Sequence, residues 1–331
     1  MLTDKLFESI LIEPAKLERD ELFIVSGYAT SAMAFHHLDR LRSMSLKPCV
    51  KLIIGMCSQD GLPLSNHRGF QKVVDEDFKG QIECNYLVEG APVHSKVYLW
   101  LKEGKPDLAF LGSANYTQNA FGGNLSEAME QCDPSEAFAY YKKLSSHSIY
   151  CTHEDAEHFV TIYSDNYFAR LKRERKYADE VLKRKRSKGE PIIGQPKISV
   201  SLLDNDGDLP QRSGLNWGQR PEEHREPNQA YIRLPAPVYK SDFFPPIGSH
   251  FTVLTNDGKV LICSRAQQNG KAIHTPHNNS LIGEYFRGIL GIASGDRVTK
   301  KDLKDYGRTG VDFYKIDSET YHMDFSPPRG R

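Results

Sequence analysis

The sequence lacks several features that would each have placed it in a broad class. No apolar run approaches the roughly 20 residues that a membrane-spanning helix needs. The first stretch, MLTDKLFESILIEPAKLERDE, is too charged for a signal peptide, so we expect a cytoplasmic protein. The six cysteines form no CxxC pair, which is typical of reduced thiols and argues against zinc. No GxxxxGK[ST] motif is present, so a phosphate-cradling nucleotide loop of that type is excluded.

A net charge is also lacking, because Lys+Arg and Asp+Glu both number 43. The overall charge therefore neither favours nor excludes a nucleic-acid partner, and any basic surface must be local. The composition that is present, 39% hydrophobic and 26% charged residues over 331 positions, is typical of a globular protein with room for two domains.

The first half of the chain alternates apolar strands with helical spacing. The candidate helices are SAMAFHHLDRLRSM and SNHRGFQKVVDEDF. The candidate strands are ELFIVSGYA, VKLIIGM, IECNYLV, VHSKVYLWL and DLAFLG. Strands interleaved with helices predict an α/β domain, with a mixed sheet flanked by helices.

The second half has a different sequence pattern, which predicts a mainly β domain shaped as a small barrel. Short strands separated by turns begin near residue 197, and one helix, NSLIGEYFRGILG, interrupts them. Between the halves, residues 172–188 hold nine Lys or Arg against three acids. We predict a basic helical linker there, which is either a solvated helix face or a helix that contacts phosphates.

The stretch HSKVYLWLKEGKPDLAFLGSAN, residues 94–115, carries the candidate chemistry. His94 and Lys96 stand two apart on a predicted strand, so their side chains share a face. The next strand ends at Gly112, and we expect Ser113 and Asn115 at the start of a helix, where backbone N–H groups favour an anion. Together these groups suit a phosphate ester, with histidine as nucleophile and lysine and asparagine stabilising charge. A lone HxK would more simply be an exposed strand histidine, but the following GSxN favours a site.

His94-Ser95-Lys96 with Gly112-Ser113-Ala114-Asn115 resembles the HxK…GSxN signature of the phospholipase D superfamily. The aspartate that usually follows the lysine is missing, as it often is in the nuclease branch. The resemblance also implies a carboxylate that orients the histidine, for which Glu127 is the first candidate and Glu130 the second.

The superfamily's mechanism needs two histidines and neither a metal nor another cofactor. One histidine attacks phosphorus to form a phosphohistidine, and the other protonates the leaving oxygen. The chain has a single HxK. The resemblance therefore implies a homodimer whose active site takes His94 from each subunit.

Two polar loops in the second half are candidates for reading DNA. Arginine side chains can pair with guanine and amide side chains with adenine in the major groove. The alternative is that Trp217 packs on the barrel and the rest of its loop is solvated. In the first loop the candidates are Arg212, Ser213, Asn216, Trp217, Gln219 and Arg220. In the second, a predicted β-hairpin, they are Arg265, Gln267, Gln268, Asn269, Lys271, His274, His277 and Asn278.

The order of the two halves resembles the NgoFVII-type, BfiI-like restriction endonucleases. These join a phospholipase D-like nuclease domain to a pseudobarrel similar to the plant B-three DNA-binding domain. The resemblance implies a nuclease domain at 1–165, a basic helical linker at 166–196 and a DNA-recognition domain at 197–331. The two polar loops would be its N-arm and C-arm, and we expect Arg308 to face phosphate.

The function that this resemblance implies is restriction of double-stranded DNA at specific sites, without metal, in a prokaryotic cytoplasm. A cognate methyltransferase belongs to such a restriction-modification system, and a separate ATPase or helicase-like subunit is compatible with it. The alternatives are a lipid phosphodiesterase of the same superfamily and a non-catalytic DNA-binding protein.

Overall fold

The computed structural model describes residues 1–164 and 196–327, which belong to two compact units. The linker predicted at 166–196 lies outside the described residues except for its last position, and the domain limits stay predictions. Within the described ranges, no helix has the length and apolar character to cross a membrane.

The first unit is a mixed sheet with helices on both faces, as predicted. Its strands are β1 (Glu21–Ser26), β2 (Cys49–Ile54), β3 (Leu62–Pro63), β4 (Ile82–Leu87), β5 (Lys96–Lys102), β6 (Lys105–Gly112), β7 (Met129–Cys132), β8 (Ser148–Tyr150) and β9 (Ile162–Tyr163). Seven of them form one sheet in the order β7-β6-β5-β1-β2-β4-β8, and β3 pairs with β9. Strands β1, β2 and β4 are parallel, whereas β5 runs antiparallel to β1.

Side chains cap the N-termini of its two longest helices. The helices of this unit are α1 (Glu13–Lys16), α2 (Ser31–Ser43), α3 (Cys57–Asp60), α4 (Leu64–Lys72), α5 (Gln118–Phe121), α6 (Pro134–Ser145) and α7 (Ala156–Phe159), with π-helical turns at Phe7–Ile12 and Val73–Asp77. Thr30 caps α2 by accepting from the Met33 N–H at 3.2 Å. Asp133 caps α6, with Pro134 at the first helical position.

Strand β5 shows why the sheet needs cover on both faces. Val97, Leu99 and Leu101 pack in a core cluster with residues of α6, which confirms the predicted alternation. The opposite face is also buried, because Trp100 is wholly covered and its indole N–H donates to the Ile10 carbonyl at 2.7 Å. Lys96 begins this second face, so its ammonium reaches the sheet edge from a buried position.

The second unit is a mainly β, nearly closed barrel, as predicted. Its strands are β10 (Lys197–Ser201), β11 (Ile232–Arg233), β12 (His250–Thr255), β13 (Val260–Ala266), β14 (Ala272–His274), β15 (Gly310–Lys315) and β16 (Thr320–Asp324), in the order β10-β15-β16-β12-β13-β14-β11. Its helices are α8 (Ala236–Tyr239), α9 (Leu281–Leu290) and α10 (Lys300–Tyr306), with 3₁₀ turns at Gly214–Asn216, Pro221–Glu223 and Gln268–Gly270. An aromatic-rich core fills the interior.

Candidate functional site

The strand register brings the predicted catalytic residues to one edge of the first sheet. Ser26 at the end of β1 pairs with Lys96 at the start of β5, and Lys96 pairs with Gly112 at the end of β6. Gly112 pairs in turn with Met129 at the start of β7, and Ile54 ends β2 beside Ser26. Because antiparallel neighbours begin where their partners end, loops from five strands meet at this edge.

His94 and Lys96 contact each other there, although His94 lies just before β5 and not on the strand as predicted. His94 is exposed in the segment before β5, whereas Lys96 is 4% exposed. Lys96 Nζ lies 2.9 Å from His94 Nδ1 and 3.2 Å from Nε2, and it donates to the His94 carbonyl at 2.5 Å. Burial lowers the pKa of the Lys96 ammonium, and the Glu127 carboxylate opposes that shift. The imidazole thus lies against a partly desolvated cation.

Ser113 and Glu127 form a second contact at this edge. The Ser113 hydroxyl donates to Glu127 Oε2 and accepts from the Ala128 N–H at 3.0 Å. Glu127 is half-buried, whereas Glu130 is exposed on β7. Of the two carboxylates predicted to orient the histidine, Glu127 is therefore the one that contacts the motif. In the described part of the chain neither carboxylate is hydrogen-bonded to His94, so the orienting role stays a prediction.

The carboxamide of Asn115 is fixed by the loop after β1. Its Oδ1 accepts from the Tyr28 N–H at 3.0 Å and lies 3.4 Å from Ser26 Oγ, which donates to the Tyr28 carbonyl at 2.6 Å. Ser26 is wholly buried and also accepts from the Tyr116 N–H at 2.9 Å. The Asn115 Nδ2 group makes no hydrogen bond within the described residues, which leaves it as a donor for an anion.

The expectation that Ser113 and Asn115 start a helix is wrong. Tyr116 forms a bridge with Ala29, and its carbonyl accepts from the Thr30 N–H at 3.1 Å, which holds the loop in an extended form. Helix α5 begins only at Gln118 and has a single turn. No helix N-terminus therefore lies at Ser113 and Asn115, and the donors that these residues bring to the edge are side chains.

Three glycines allow the segments at this edge to approach closely. A Cβ on Gly55 would lie 2.2 Å from a carbonyl of the segment before β5, and one on Gly112 would lie 2.1 Å from a carbonyl before β7. On Gly27 it would lie 3.1 Å from Cδ2 of His94. The sequence interpretation missed Ser26 and Gly27, although Ser-Gly directly after a buried strand was an available signal.

Within 1–164 and 196–327, no group of three or more His, Cys, Asp or Glu side chains could hold a metal ion.

The first polar loop of the second unit is anchored by residues predicted to bind DNA. Asn216 is 1% exposed, and its amide bonds the backbone of Val298 through both Nδ2 and Oδ1, at 2.8 and 3.0 Å. Gln219 Nε2 donates to two backbone carbonyls at 3.1 and 2.9 Å. Both amides therefore form hydrogen bonds that stabilise the loop, and Asn216 is too deeply buried to contact DNA.

The arginines of this loop lie nearer the surface and are paired with acids. Arg212 is exposed and forms an ion pair with Glu222. Arg220 donates to Glu223 Oε1 at 2.9 Å. Ser213 is half-buried and precedes the 3₁₀ turn without capping it through its side chain. Arg220 Nε also donates to the Arg212 carbonyl at 2.9 Å, so Arg212 has the more exposed of the two ion pairs, and exposed pairs are weak.

Trp217 packs against other side chains of the segment between β10 and β11. It is half-buried, its ring meets that of Tyr231 at 74° with centroids 5.7 Å apart, and the Arg225 guanidinium lies 4.3 Å from its ring centroid.

The second polar loop is anchored in a similar way. Arg265 donates to four backbone carbonyls, the nearest being that of Tyr239 at 2.5 Å. His274 lies 2.9 Å from both the Ser264 hydroxyl and Asn279 Oδ1, and burial lowers its pKa. The exposed positions of this loop are Gln267, Gln268, Asn269 and Asn278, while Lys271 and His277 are half-buried.

Arg308 does not present its charge to an outside phosphate. Its guanidinium lies 2.6 Å from Asp312 Oδ2 and 3.5 Å from Asp324 Oδ1, and it donates to the Ser326 carbonyl at 2.6 Å. The two carboxylates neutralise it within the unit.

A different arginine, which the sequence interpretation missed, is available instead. Arg233 is exposed on β11, directly opposite Ala272 of β14, which is in turn opposite Ala266 at the start of the second loop. Neither Arg233 nor Lys271 makes a side-chain hydrogen bond or ion pair within residues 1–164 and 196–327. The signal would have been an arginine on the outward face of the short strand IR.

Family comparisons agree with this division. A model described as the NgoFVII restriction endonuclease N-terminal PLD domain matches residues 4–158, and one described as the NgoFVII C-terminal B3-like DNA-binding domain matches residues 190–317. A nuclease domain followed by a DNA-binding domain defines the class of protein as a DNA endonuclease. The two matches together cover most of the chain, and the chain belongs to the NgoFVII restriction endonuclease family.

Comparisons with individual proteins give more distant similarities. The chain is similar to NucT from Helicobacter pylori, at 19% identity and a TM-score of 0.30, over 44% of this chain and 90% of that one. It is also similar to a polyphosphate kinase from Porphyromonas gingivalis, at 16% identity and a TM-score of 0.30, over 45% of this chain. The chain thus spans only 23% of that kinase. No curated protein matches the chain.

Proposed function

We propose that this protein is a site-specific restriction endonuclease that hydrolyses double-stranded DNA through a phosphohistidine at His94, without a metal ion. The observation that carries the proposal is the meeting of His94, Lys96 and Asn115 at one sheet edge, with Lys96 Nζ 2.9 Å from His94 Nδ1. A nucleophile, a cation and an amide donor around one point suit a phosphodiester better than any other substrate group.

In the first step, a ring nitrogen of His94 attacks phosphorus. A nitrogen–phosphorus bond forms, the bond to one bridging oxygen breaks, and a second histidine gives that oxygen a proton. In the second step, the same histidine removes a proton from water, the water oxygen attacks phosphorus, and the nitrogen–phosphorus bond breaks. His94 is then regenerated and the DNA strand carries a free phosphate end.

Lys96 and Asn115 stabilise the charge that develops on the non-bridging oxygens. In the structure, the Lys96 ammonium lies against the His94 ring, and phosphate oxygens would replace that ring as its acceptors. Burial strengthens such an interaction because water screens it less. The Asn115 Nδ2 group supplies a donor whose orientation is already fixed.

The second histidine comes from a second subunit in this proposal. The chain has one HxK, so a two-fold homodimer places two copies of His94 at a shared site. One shared site serves both DNA strands in turn.

The second unit selects the DNA sequence. We propose that the exposed amides Gln267, Gln268 and Asn269 reach base edges, while Arg233 and Lys271 contact phosphates beside them. A cognate methyltransferase would protect the host's own sites in the prokaryotic cytoplasm. A separate ATP-driven translocase is a second arrangement that the experiment below distinguishes.

The test is cleavage of a phage genome by the purified protein in excess EDTA, with His94→Ala alongside. We expect discrete fragments from the wild-type protein alone, while both proteins bind DNA equally. Cleavage that requires ATP would assign the chain to the translocase-assisted arrangement. Metal-dependent cleavage that survives the His94 change would contradict the proposed chemistry, and binding without cleavage under every condition would favour the non-catalytic alternative.

Mixing the two proteins tests the shared site. After subunit exchange in an equal mixture, about one quarter of the dimers hold two intact copies of His94. The cleavage rate of the mixture should therefore be about one quarter of the rate given by the same total amount of wild-type dimer. Activity near one half would show that each subunit works alone.

A further inference from the structure

We propose that Tyr28 is a positioning residue that holds the nucleophile and the oxyanion donor in register. The proposal deepens the proposed function and rests on it, because it takes His94 as the nucleophile. Tyr28 follows Ser26 and Gly27 in the loop after β1, far from the HxK and GSxN motifs in sequence.

Tyr28 contacts both motifs through different atoms. Its ring lies 5.7 Å from that of His94, centroid to centroid, at 77°. Its backbone N–H donates to Asn115 Oδ1 at 3.0 Å. Its hydroxyl donates to Asp60 Oδ2 at 2.6 Å, which fixes the far end of the side chain at the end of α3.

His94 needs such a neighbour because it is exposed and lies before the first residue of β5. The backbone at Gly27 approaches Cδ2 and Cα of His94, and Lys96 Nζ contacts both ring nitrogens. The Tyr28 ring adds a further wall that restricts rotation of the imidazole. In-line attack depends on that orientation, and small misplacements of a reacting group are costly.

Core packing does not account for this tyrosine. Tyr28 is 41% exposed although it is a large aromatic side chain, so much of its surface stays in water. Its ring contacts His94 and its hydroxyl donates to Asp60, and Tyr28 is not a member of the apolar core cluster around β5. The hydrogen bond to Asp60 restricts the rotamers of this partly exposed side chain.

The experiment measures the single-turnover cleavage rate at saturating enzyme separately from the Kd for DNA. Tyr28→Ala should lower the rate by about 10- to 100-fold and leave the Kd within about twofold. Tyr28→Phe keeps the ring and should restore most of the rate. Tyr28→Phe and Asp60→Ala remove the same tether, so their combination should be no slower than the worse single variant.

Two further proteins make the outcome unambiguous. Tyr150→Ala removes another exposed tyrosine, on the edge strand β8 of the same sheet, and should cleave at the wild-type rate. If Tyr28→Ala does not fold, Tyr28→Leu replaces it, because leucine keeps apolar bulk without the aromatic ring. Its cleavage rate should show the loss stated for Tyr28→Ala. A wild-type rate in a folded Tyr28 variant would overturn the inference while His94→Ala stays inactive. If His94→Ala cleaves as well, the proposed function itself fails.

Discussion

At the scale of single residues, the account depends on a lysine that is charged in a buried position. Lys96 is 4% exposed, and burial lowers its pKa while Glu127 opposes the shift. A protonated Lys96 donates to the phosphate, and a neutral one does not stabilise the developing charge. The same burial that strengthens the interaction therefore narrows the pH range in which it operates.

Lys96→Arg should extend activity to higher pH. The pKa of Lys96 is below that of an ordinary lysine, so kcat/KM should fall on the alkaline side earlier than a pKa of 10.5 would allow. A guanidinium stays charged throughout that range, so the variant should lose the alkaline decline, although its different shape should lower the maximum rate. The measurement is kcat/KM against pH in both proteins.

The matched control is Lys105→Arg, an exposed lysine at the other end of the β5–β6 hairpin. It should leave the profile unchanged. An alkaline decline at the same pH in wild type and Lys96→Arg would show that another group sets it.

At the scale of elements, the candidate site lies where neighbouring strands of the first sheet end or begin. The alternation along β5 was readable from the sequence because side chains on a strand change face at every residue. The helix expected after Gly112 was not formed, because Tyr116 pairs with the loop after β1 and keeps the segment extended. That pairing joins positions almost 90 residues apart, and no local signal in the sequence reports it.

The same limit applies to the loops of the second unit. Composition identified Asn216 and Arg265 as polar residues in loops, but it could not show that their partners are backbone carbonyls of the unit itself. Helix α10 and its capping box of Thr299 and Asp302 were also missed, although the capping residues are close in sequence. Arg233 was missed because it lies on a strand, β11, and the candidate DNA contacts were sought in loops.

Arg233→Ala should weaken DNA binding about equally for specific and unrelated sequences. The side chain is exposed and makes no ion pair within the described residues, so its charge is available to a phosphate. A plot of the logarithm of the association constant against the logarithm of salt concentration has a negative slope, and the loss of one phosphate contact makes that slope less steep by about 0.9. The measurement is the Kd for both kinds of DNA at several salt concentrations.

Lys301→Ala serves as the control for Arg233, because it removes a positive charge that is already paired with Asp305. Its salt slope should match that of the wild-type protein. If Arg233→Ala instead weakened binding to the specific DNA alone and left the Kd for unrelated DNA unchanged, Arg233 would contact a base edge and not a phosphate.

At the scale of the whole molecule, the chain divides its tasks between two units with separate cores. Its family assignment joins a nuclease domain to a DNA-binding domain. The formal net charge of zero is compatible with DNA binding, because contact with DNA needs a local positively charged surface and not an overall positive charge. Binding and cleavage should accordingly be separable by substitutions in different units.

In the proposed mechanism, His94 carries the cleaved strand as a covalent phosphohistidine. The most direct measurement is to mix the protein with cleavable DNA in EDTA and to quench at alkaline pH, where a phosphohistidine survives. The protein and DNA are then digested, and the mass of the peptide that contains His94 is measured. We predict a nucleotide-phosphate adduct on His94 that forms before product is released and that is absent from His94→Ala. Cleavage without any adduct, or with an adduct on another residue, would contradict the account.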